Sequence, residues 1–575
     1  MSASPQPAAS AACDLLVIGS GAGGLAAAVT AAWHGLKVIV AEKEPVLGGT
    51  TAWSGGWMWA PLNPLARRAG IEEDAAAPRT YLRHVLGNQF DARRVDAFLA
   101  AAPRMVEFFE QHTALQFEGG NRICDTYGNA PGAGTGGRSV IAAPYDARAL
   151  GELLPRLRRP LRETTFWGMT IQAGPDLAAF MNLTRSPRAF LHVTRRLGRH
   201  LLDLARHGRG LQLRNGLALV GRLLRSAADL GVELRTDAPA IRLLQEDGRV
   251  VGAVLRTSTG EVPVRAARGV VLATGGFPHD ATRRERLFPA NEGHATLAVP
   301  SATGDGLRLG EAAGGSVDES LAAAGAWCPV SLVPYPDGTT GRFPHIIERG
   351  KPGIIGVLAD GRRFCNEGNG YHDYVTAMLR AVPPGQEVCS WLICTRAFQR
   401  RYGLGIARPA PVPVGAHLRS GYIRQGRTIA ELAKTCGIDP AGLERTLAEY
   451  NRHARNGLDP AFDRGGTPYN RLQGDASHGP NPCVAPIEQG PFFAVKVVPG
   501  SFGTFAGLRT DGAARVLAAG DVPIPGLYAA GTDLASVMGG HYPAGGINLG
   551  PAMTFGYIAG CHAAGAVPAA QEHAA

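Results

Sequence analysis

Tyr542 stands in a run of glycines, Gly540-His-Tyr542-Pro-Ala-Gly-Gly546-Ile-Asn-Leu-Gly550. Glycine has no Cβ, so such a backbone can bring its N–H groups close to a flat ring or a carbonyl oxygen. One phenol, Tyr542, stands beside those glycines and carries a hydroxyl that can donate. Donors set in advance around an oxygen that gains negative charge lower the barrier to removing a neighbouring proton. No arginine occurs between 541 and 550, so this stretch lacks the bidentate clamp that suits a carboxylate. His541 is read as a loop histidine with a structural or solvent-facing role.

Oxidation at carbon needs an electron sink, and the opposite end of the chain supplies a dinucleotide site. Asp14-Leu-Leu-Val-Ile-Gly19-Ser-Gly21-Ala-Gly-Gly24 reads as a strand over 14–18 and a glycine turn over 19–24. Residues 25–33 form the Ala-rich crossover helix, and 36–41 the second strand, ending at Glu42. The glycines permit the tight turn and present a helix N-terminus to a pyrophosphate, while Glu42 can accept from a ribose hydroxyl. A bare glycine turn is a weak signal; with strand, helix and terminal acid it is a complete βαβ unit. No second fingerprint of this kind occurs, so a nicotinamide partner is not expected.

A further glycine-rich segment follows: Gly48-Gly49-Thr50-Thr51-Ala52-Trp53-Ser54-Gly55-Gly56-Trp57. Here the chain resembles the flavoprotein superfamily of fumarate reductases, succinate dehydrogenases and 3-ketosteroid dehydrogenases. Within it, the segment looks most like the ketosteroid Δ1-dehydrogenase branch, and it continues to Trp59-Ala-Pro61-Leu-Asn63 as that branch does. The resemblance spans nearly the whole chain. It takes in Ala273-Thr-Gly-Gly276, Thr303-Gly-Asp305-Gly306, Gly361-Arg-Arg-Phe-Cys-Asn366-Glu367, Gly503 to Asp511, and Pro551-Ala-Met-Thr-Phe-Gly556.

The resemblance implies FAD, bound through Gly19, Gly21, Gly24, Glu42, Lys43, Gly49, Thr50, Thr51, Ser54, Gly55, Gly56, Ala240, Thr274, Gly275, Asp305, Gly531, Asn548 and Leu549. The link is expected to be noncovalent, because no histidine lies between Thr50 and Trp59, where succinate dehydrogenases carry the covalent attachment. Small residues at 48–56 and 545–550 let backbone amides reach the pyrophosphate and the ring, which favours hydride uptake. Trp53, Trp57 and Trp59 are expected to pack around the flavin.

Catalytic roles also follow from the branch. Its Tyr-Pro-Gly-x-Gly motif binds the substrate carbonyl through the tyrosine and the N–H of the last glycine. The matching residues are Tyr542 and Gly546, with Ala544 a small departure. The branch base is a tyrosine shortly after the Arg-Phe-x-Asn-Glu segment; Tyr371 stands there, and Tyr374 is the nearby alternative. A phenol near pKa 10 is a weak base and needs help. The branch's assisting tyrosine lies in a Pro-Asp-Tyr segment, and Cys124-Asp125-Thr126-Tyr127 matches with a slip of one residue. Arg138 and Tyr145 stand in a similar context without an assigned role.

These residues must be held by an α/β protein. The expected fold is a Rossmann-like FAD-binding domain whose parallel sheet is split in sequence, with an inserted α+β substrate domain. Residues 1–300 form the first part, with a helical excursion over about 92–230 that includes amphipathic stretches at 178–204 and 211–230. Residues 301–475 form the insertion, and 476–575 complete the first domain. Strand-like segments at 232–234, 241–244, 250–256 and 262–265 precede Gly269-Val-Val-Leu-Ala-Thr-Gly-Gly276, whose continuous apolar run suits a buried parallel strand.

Composition bounds the remaining possibilities. At 575 residues, with 45% hydrophobic and 18% charged residues, the chain has the make-up of a globular enzyme. Its net charge of +10 comes largely from arginines clustered over 156–225; these are read as the solvated faces of amphipathic helices, since no nucleic-acid motif accompanies them. Nine scattered cysteines without a CxxC pair read as reduced thiols of a cytoplasmic protein. No signal peptide, membrane-length apolar run or metal-ligand cluster is apparent. The oligomeric state is not specified by any motif.

The expected activity is FAD-dependent desaturation of a cyclic ketone, 3-ketosteroid-like or a smaller cyclohexanone-like ring, with a quinone or similar external acceptor. The alternative is a fumarate reductase-like enzyme of unsaturated carboxylates, which would need arginines in the 541–550 stretch. A non-catalytic flavin or electron-carrier subunit is the third reading, and the candidate phenols and intact insertion argue against it.

Overall fold

Leu15 to Ile18 and Val38 to Ala41 are buried on both faces, as parallel strands covered by helices must be. The computed structural model describes residues 11–290 and 292–566. Strand β1 (Ala11–Ile18) leads through the glycine turn into α1 (Ala22–Trp33) and then β2 (Val38–Ala41). The expected βαβ unit is there, with the helix beginning three residues earlier than its alanine run.

The helical excursion contains α2 (Pro175–Met181), α3 (Pro187–His207) and α4 (Asn215–Asp229). The single amphipathic stretch expected over 178–204 is therefore two helices. Ser186 caps the second through its side chain, and Pro187 occupies the first turn, where its missing N–H costs nothing. Four strands return the chain to the sheet: β3 (Glu233–Arg235), β4 (Ala240–Glu246), β5 (Arg249–Thr257) and β6 (Gly260–Leu272). β6 absorbs both the 262–265 segment and the apolar run after Gly269.

A second sheet is built from β7 (Gly325–Pro334), β8 (Thr340–Pro344), β9 (Ile354–Val357), β10 (Ser390–Thr395) and β11 (Phe492–Thr504), with α5 (Tyr371–Ala381) packed on β7. The first sheet regains the chain at β12 (Pro523–Ala529), and α6 (Leu549–Ala564) closes the fold.

The first sheet runs β3-β2-β1-β6-β5-β4. Its parallel core is β3-β2-β1-β6, and β12 pairs in parallel with the last residues of β6, Val270 opposite Leu527. The second sheet has the order β8-β7-β11-β10-β9 and is antiparallel along that path. β11 is its central strand. Its residues, 492–504, follow the expected insertion of 301–475 in sequence and pair within the second sheet.

Helices α1 and α6 cross closely under the first sheet. A Cβ at Gly556 would lie 2.3 Å from the Gly23 carbonyl oxygen, so only glycine permits this approach. The same crossing brings the C-terminal glycine stretch next to the N-terminal turn, although some five hundred residues separate them in the chain.

Candidate active site

A cavity of about 1490 Å³ is lined by residues of both sheets and their loops. Single-ligand pockets run from ~300 to 1,000 Å³, so this one has room for a dinucleotide and a second molecule.

At the dinucleotide end the backbone is drawn tight. Gly19 has φ +107°, and a Cβ there would sit 2.1 Å from the Ala273 carbonyl oxygen. Gly24, expected to touch the cofactor, instead packs on that turn: its Cβ would meet the Gly19 carbonyl at 2.1 Å. Gly23 is the residue that reaches the cavity in its place. The remaining expected contacts, from Gly19, Gly21, Glu42 and Lys43 through Gly49, Thr50, Thr51, Ser54, Gly55, Gly56, Ala240, Thr274, Gly275 and Asp305 to Gly531, Asn548 and Leu549, all line the cavity.

The donor set and the shape fit FAD. Gly21 caps α1 without a side chain, which leaves helix N–H groups for a pyrophosphate. Thr51 Oγ1 accepts from the Ala22 N–H at 3.0 Å. Glu42 Oε2 is held by Ser20 at 2.6 and 3.1 Å, and among the described residues Oε1 accepts only from the Glu44 N–H. Oε1 therefore retains capacity for a ribose hydroxyl. Lys43 Nζ bridges Thr303 and Asp305. Around Gly55, Gly531 and Gly545 nothing stands within 4 Å of where a Cβ would project, and that room suits a flat ring system.

At the other end two phenols converge. The Tyr371 and Tyr542 ring centroids are 4.8 Å apart with planes at 76°. Asn548 Nδ2 donates to the Tyr542 hydroxyl at 3.1 Å, so that hydroxyl keeps its own proton for another acceptor. Gly546 has φ +99°, and its carbonyl accepts from the Trp59 N–H at 3.1 Å. Its own N–H meets no acceptor among the described residues. Both Tyr542 and Gly546 line the cavity, and together they offer two donors.

Burial pushes both the Tyr542 and the Tyr371 phenols above their ordinary range, and the neighbouring Tyr542 adds to the effect on Tyr371. Both are protonated at neutral pH. That state suits Tyr542 as a donor and sets a demand on Tyr371 as a base. Tyr374, the alternative base, is fully buried, donates to or accepts from Ser390 Oγ at 2.9 Å, and does not line the cavity. His372 is held at about 3 by burial, and its Nδ1 accepts from the Trp327 N–H. It is neutral.

Tyr127 is not brought into the cavity. Its hydroxyl donates to Asp373 Oδ1 at 2.8 Å, on the first turn of the helix that begins with Tyr371. Two residues before it, Asp125 is the hub of a buried network: it accepts from Trp59 Nε1 at 2.9 Å, from the Gly134 N–H at 2.9 Å and from Arg138 at 2.5 Å. Arg138 also pairs with Glu73. This network fixes the loop that carries Tyr542, because the Thr126 N–H and the Tyr81 hydroxyl both donate to the Pro543 carbonyl. Arg138 and Trp59 are thus structural, while Trp53 and Trp57 line the cavity.

The Arg-Phe-x-Asn-Glu segment has a comparable role. Glu367 is completely buried between Arg363 at 2.8 Å and Arg464 at 3.1 Å, and it accepts from the Gly356 N–H. Burial alone would raise its carboxyl, but the two guanidiniums hold it below the usual range. The segment anchors the loop that launches α5 and Tyr371.

Three features had no sequence signal. Asp533, fully buried, accepts from Thr274 N, Gly276 N and Thr274 Oγ1 and so shapes the Thr274–Gly276 turn. Tyr469 lines the cavity from the distant 468–473 helix. Ile171, Pro175, Leu177, Phe180, Val193 and Leu197, from α2, α3 and the loop before them, form an apolar wall. Asp533 follows a glycine in Gly531-Thr-Asp533, which hints at a turn but not at its partner.

The FAD binding domain family model matches residues 14–549. A 4-oxocyclohex-2-ene-1-carboxylate 5-dehydrogenase of Sinomonas cyclohexanicum is 40% identical, over 96% of this chain and 93% of its own. A 3-oxosteroid 1-dehydrogenase of Mycobacterium tuberculosis is 36% identical, over 96% and 98%. The crystal structure of 3-ketosteroid Δ1-dehydrogenase from Sterolibacterium denitrificans with 1,4-androstadiene-3,17-dione superposes with a TM-score of 0.89 at 34% identity, covering 96% of this chain and 99% of that one. The chain belongs to the FAD binding domain family, in its 3-ketosteroid dehydrogenase branch, and is an FAD-dependent oxidoreductase acting on CH–CH groups.

Proposed function

We propose that the protein desaturates a cyclic ketone at the bond α,β to its carbonyl. The observation that carries the proposal is the convergence of two unspent donors, the Tyr542 hydroxyl and the Gly546 N–H, beside a second phenol in a cavity that also fits FAD. The relatives that act on oxocyclohexene carboxylates and 3-oxosteroids share a ring ketone, which these donors suit.

The Tyr542 hydroxyl and the Gly546 N–H bind the carbonyl oxygen and stabilise the charge that gathers there as the α-carbon loses its proton. Tyr371 takes that proton. FAD, held noncovalently by the Gly19–Gly23 turn, Glu42 and the Gly49–Gly56 segment, would supply the hydride acceptor for the β-carbon, with a quinone or similar molecule as the external electron acceptor. Because burial keeps Tyr371 protonated at rest, it takes the α-proton only as its phenolate, after releasing its own proton to solvent through the cavity it lines. The apolar wall from Ile171 to Leu197 fits the hydrocarbon part of the ring system.

A reductase of unsaturated carboxylates needs arginines at the reacting carbons. The arginines on the lining are Arg122, which is exposed, and Arg408, whose Nη2 is committed to the Glu163 and Thr165 carbonyls. This favours the desaturase.

Anaerobic mixing with a panel of 3-ketosteroids, 4-oxocyclohexanecarboxylates and unsubstituted cyclohexanones tests the reading. Bleaching of the flavin by one saturated ketone class is expected. No bleaching by any ketone, with reoxidation of the reduced enzyme by fumarate-like acids, would overturn it.

A further inference from the structure

Helix α3 is inside out. Its buried residues are Ala189, Val193, Arg196, His200 and Asp203, three of them polar or charged. Its outer face carries Phe190 and Leu191, 59% and 58% exposed, and Leu201 and Leu202, 45% and 46%. The buried polar side chains of the inner face each have a partner, although Arg196 Nε is left without one. Arg196 pairs with Asp176 and donates to the Thr170 carbonyl, Asp203 pairs with Arg148, and His200 Nε2 bonds the Trp167 carbonyl at 2.9 Å.

Trp167, itself 67% exposed, therefore sits beside the same helix. Eleven large hydrophobic residues are exposed among the described residues, and these five lie between 167 and 202. Scattered apolar residues on a surface call for no explanation, but a cluster does.

The charge around this cluster has one sign. Arg188, Arg195 and Arg206 are exposed on α3 and have no ion-pair or hydrogen-bond partner for their side chains among the described residues. Arg199 pairs with Asp146 across the helix boundary, and the only acid on α3 is the buried Asp203. A helix with an apolar strip flanked by unpaired arginines suits the boundary between lipid headgroups and acyl chains, with anionic headgroups as counter-charges. A second copy packed face to face would set these arginines against one another. Among the described residues no helix is long and apolar enough to cross a membrane, so the contact would lie in the plane of the surface.

We propose that the outer face of α3, with Trp167, docks on an anionic lipid bilayer. The inner side of the same helix contributes Val193 and Leu197 to the cavity lining, so docking sets one wall of the cavity against the membrane. This surface is argued independently of the ketone reading.

Flotation of the FAD-loaded protein with vesicles tests it. The protein should float with vesicles of phosphatidylglycerol and phosphatidylcholine mixed equally, and remain below vesicles of phosphatidylcholine alone. Phe190→Ser/Leu191→Ser/Leu201→Ser/Leu202→Ser should lower vesicle binding by about tenfold or more with FAD content unchanged. Arg188→Glu/Arg195→Glu, which leaves the apolar strip intact, should also lower it. The proposal fails if the parent protein does not float with either vesicle, or if the serine variant floats as well as the parent. It fails equally if light scattering finds a dimer that the serine substitutions dissociate and that does not bind vesicles.

Discussion

The Tyr371 and Tyr542 rings meet edge to face, with centroids 4.8 Å apart, although 171 positions separate them in the chain (542 − 371). Tyr371 opens α5 on the second sheet, and Tyr542 sits in the loop that enters α6 under the first. The contact therefore exists only when the two sheets are in register, and it is where a substrate carbonyl and its α-hydrogen would have to lie. Phenylalanine in place of Tyr542 keeps the ring contact and removes one donor. Ketone oxidation should fall at least tenfold, ~1.4 kcal/mol or more in the barrier, with the flavin spectrum and FAD content retained. Near-normal turnover in stopped-flow bleaching would refute the donor role.

Tyr371→Phe tests the other half of the pair. With no group to accept the α-proton, bleaching should slow by about 10²-fold or more, while a non-reactive ketone that only perturbs the flavin spectrum binds as before. Exchange of the α-hydrogen with solvent deuterium, followed by mass spectrometry of recovered ketone, should fall in parallel. Retained exchange in Tyr371→Phe would assign the base elsewhere.

Gly546 allows a sharper test of the backbone donor. At φ +99° an added Cβ would stand 2.7 Å from Trp59 N and 2.8 Å from Trp57 C, atoms that belong to backbone and cannot step aside. Gly546→Ala should therefore tilt the N–H away from the carbonyl site. Turnover should drop about tenfold or more, and the midpoint of thermal unfolding should fall by several degrees, on the order of 1–3 kcal/mol of strain. A variant as active and as stable as the parent would remove Gly546 from the site.

Glu367 links stability to the position of Tyr371. Its carboxylate is the counter-charge of two buried guanidiniums, so Glu367→Gln leaves them partly uncompensated. Breaking such a network costs about 3–5 kcal/mol. Denaturant unfolding should show that loss, and the α5 end of the site should lose activity before FAD is released. A change within experimental error would mean that Asp459, the other partner of Arg363, suffices alone.

The parts that could be read in the sequence are those whose causes are local. The strand, turn and helix from Asp14 to Trp33 carry their own apolar run and glycines, and Tyr542 is flanked by the glycines that shape its loop. What escaped reading depends on partners far away in sequence. β11 reads as a strand wherever it is placed; only pairing with residues 325–334 and 390–395 puts it at the centre of the second sheet. Gly24 looks like a cofactor glycine by spacing, and the Gly19 carbonyl decides otherwise. Tyr127 carries a familial position, but its hydroxyl is taken by Asp373, which no local pattern announces.

That bond makes Asp373 a measurable probe. Burial raises its carboxyl from 3.8 to about 6, and the Tyr127 hydroxyl works in the opposite direction by stabilising the anion. The folded state then holds a proton that the unfolded chain has lost between about pH 4 and 6, so stability falls as pH rises through that window. The full effect is about 3 kcal/mol, 1.36 kcal/mol for each unit. Asp373→Asn keeps an acceptor for Tyr127 and cannot titrate. Its stability should match the parent near pH 4 and exceed it by up to that amount above pH 6. Tyr127→Phe removes the stabilising donor, so it should move the upper edge of the window to higher pH. It should also slow ketone oxidation less than Tyr371→Phe does, because Tyr127 reaches the base only through the helix that both Asp373 and Tyr371 occupy. Parallel stability curves for Asp373→Asn and the parent from pH 4 to 7 would show that the carboxyl titrates as in the unfolded chain. A loss of turnover in Tyr127→Phe equal to that in Tyr371→Phe would place the Tyr127 hydroxyl in the proton path itself.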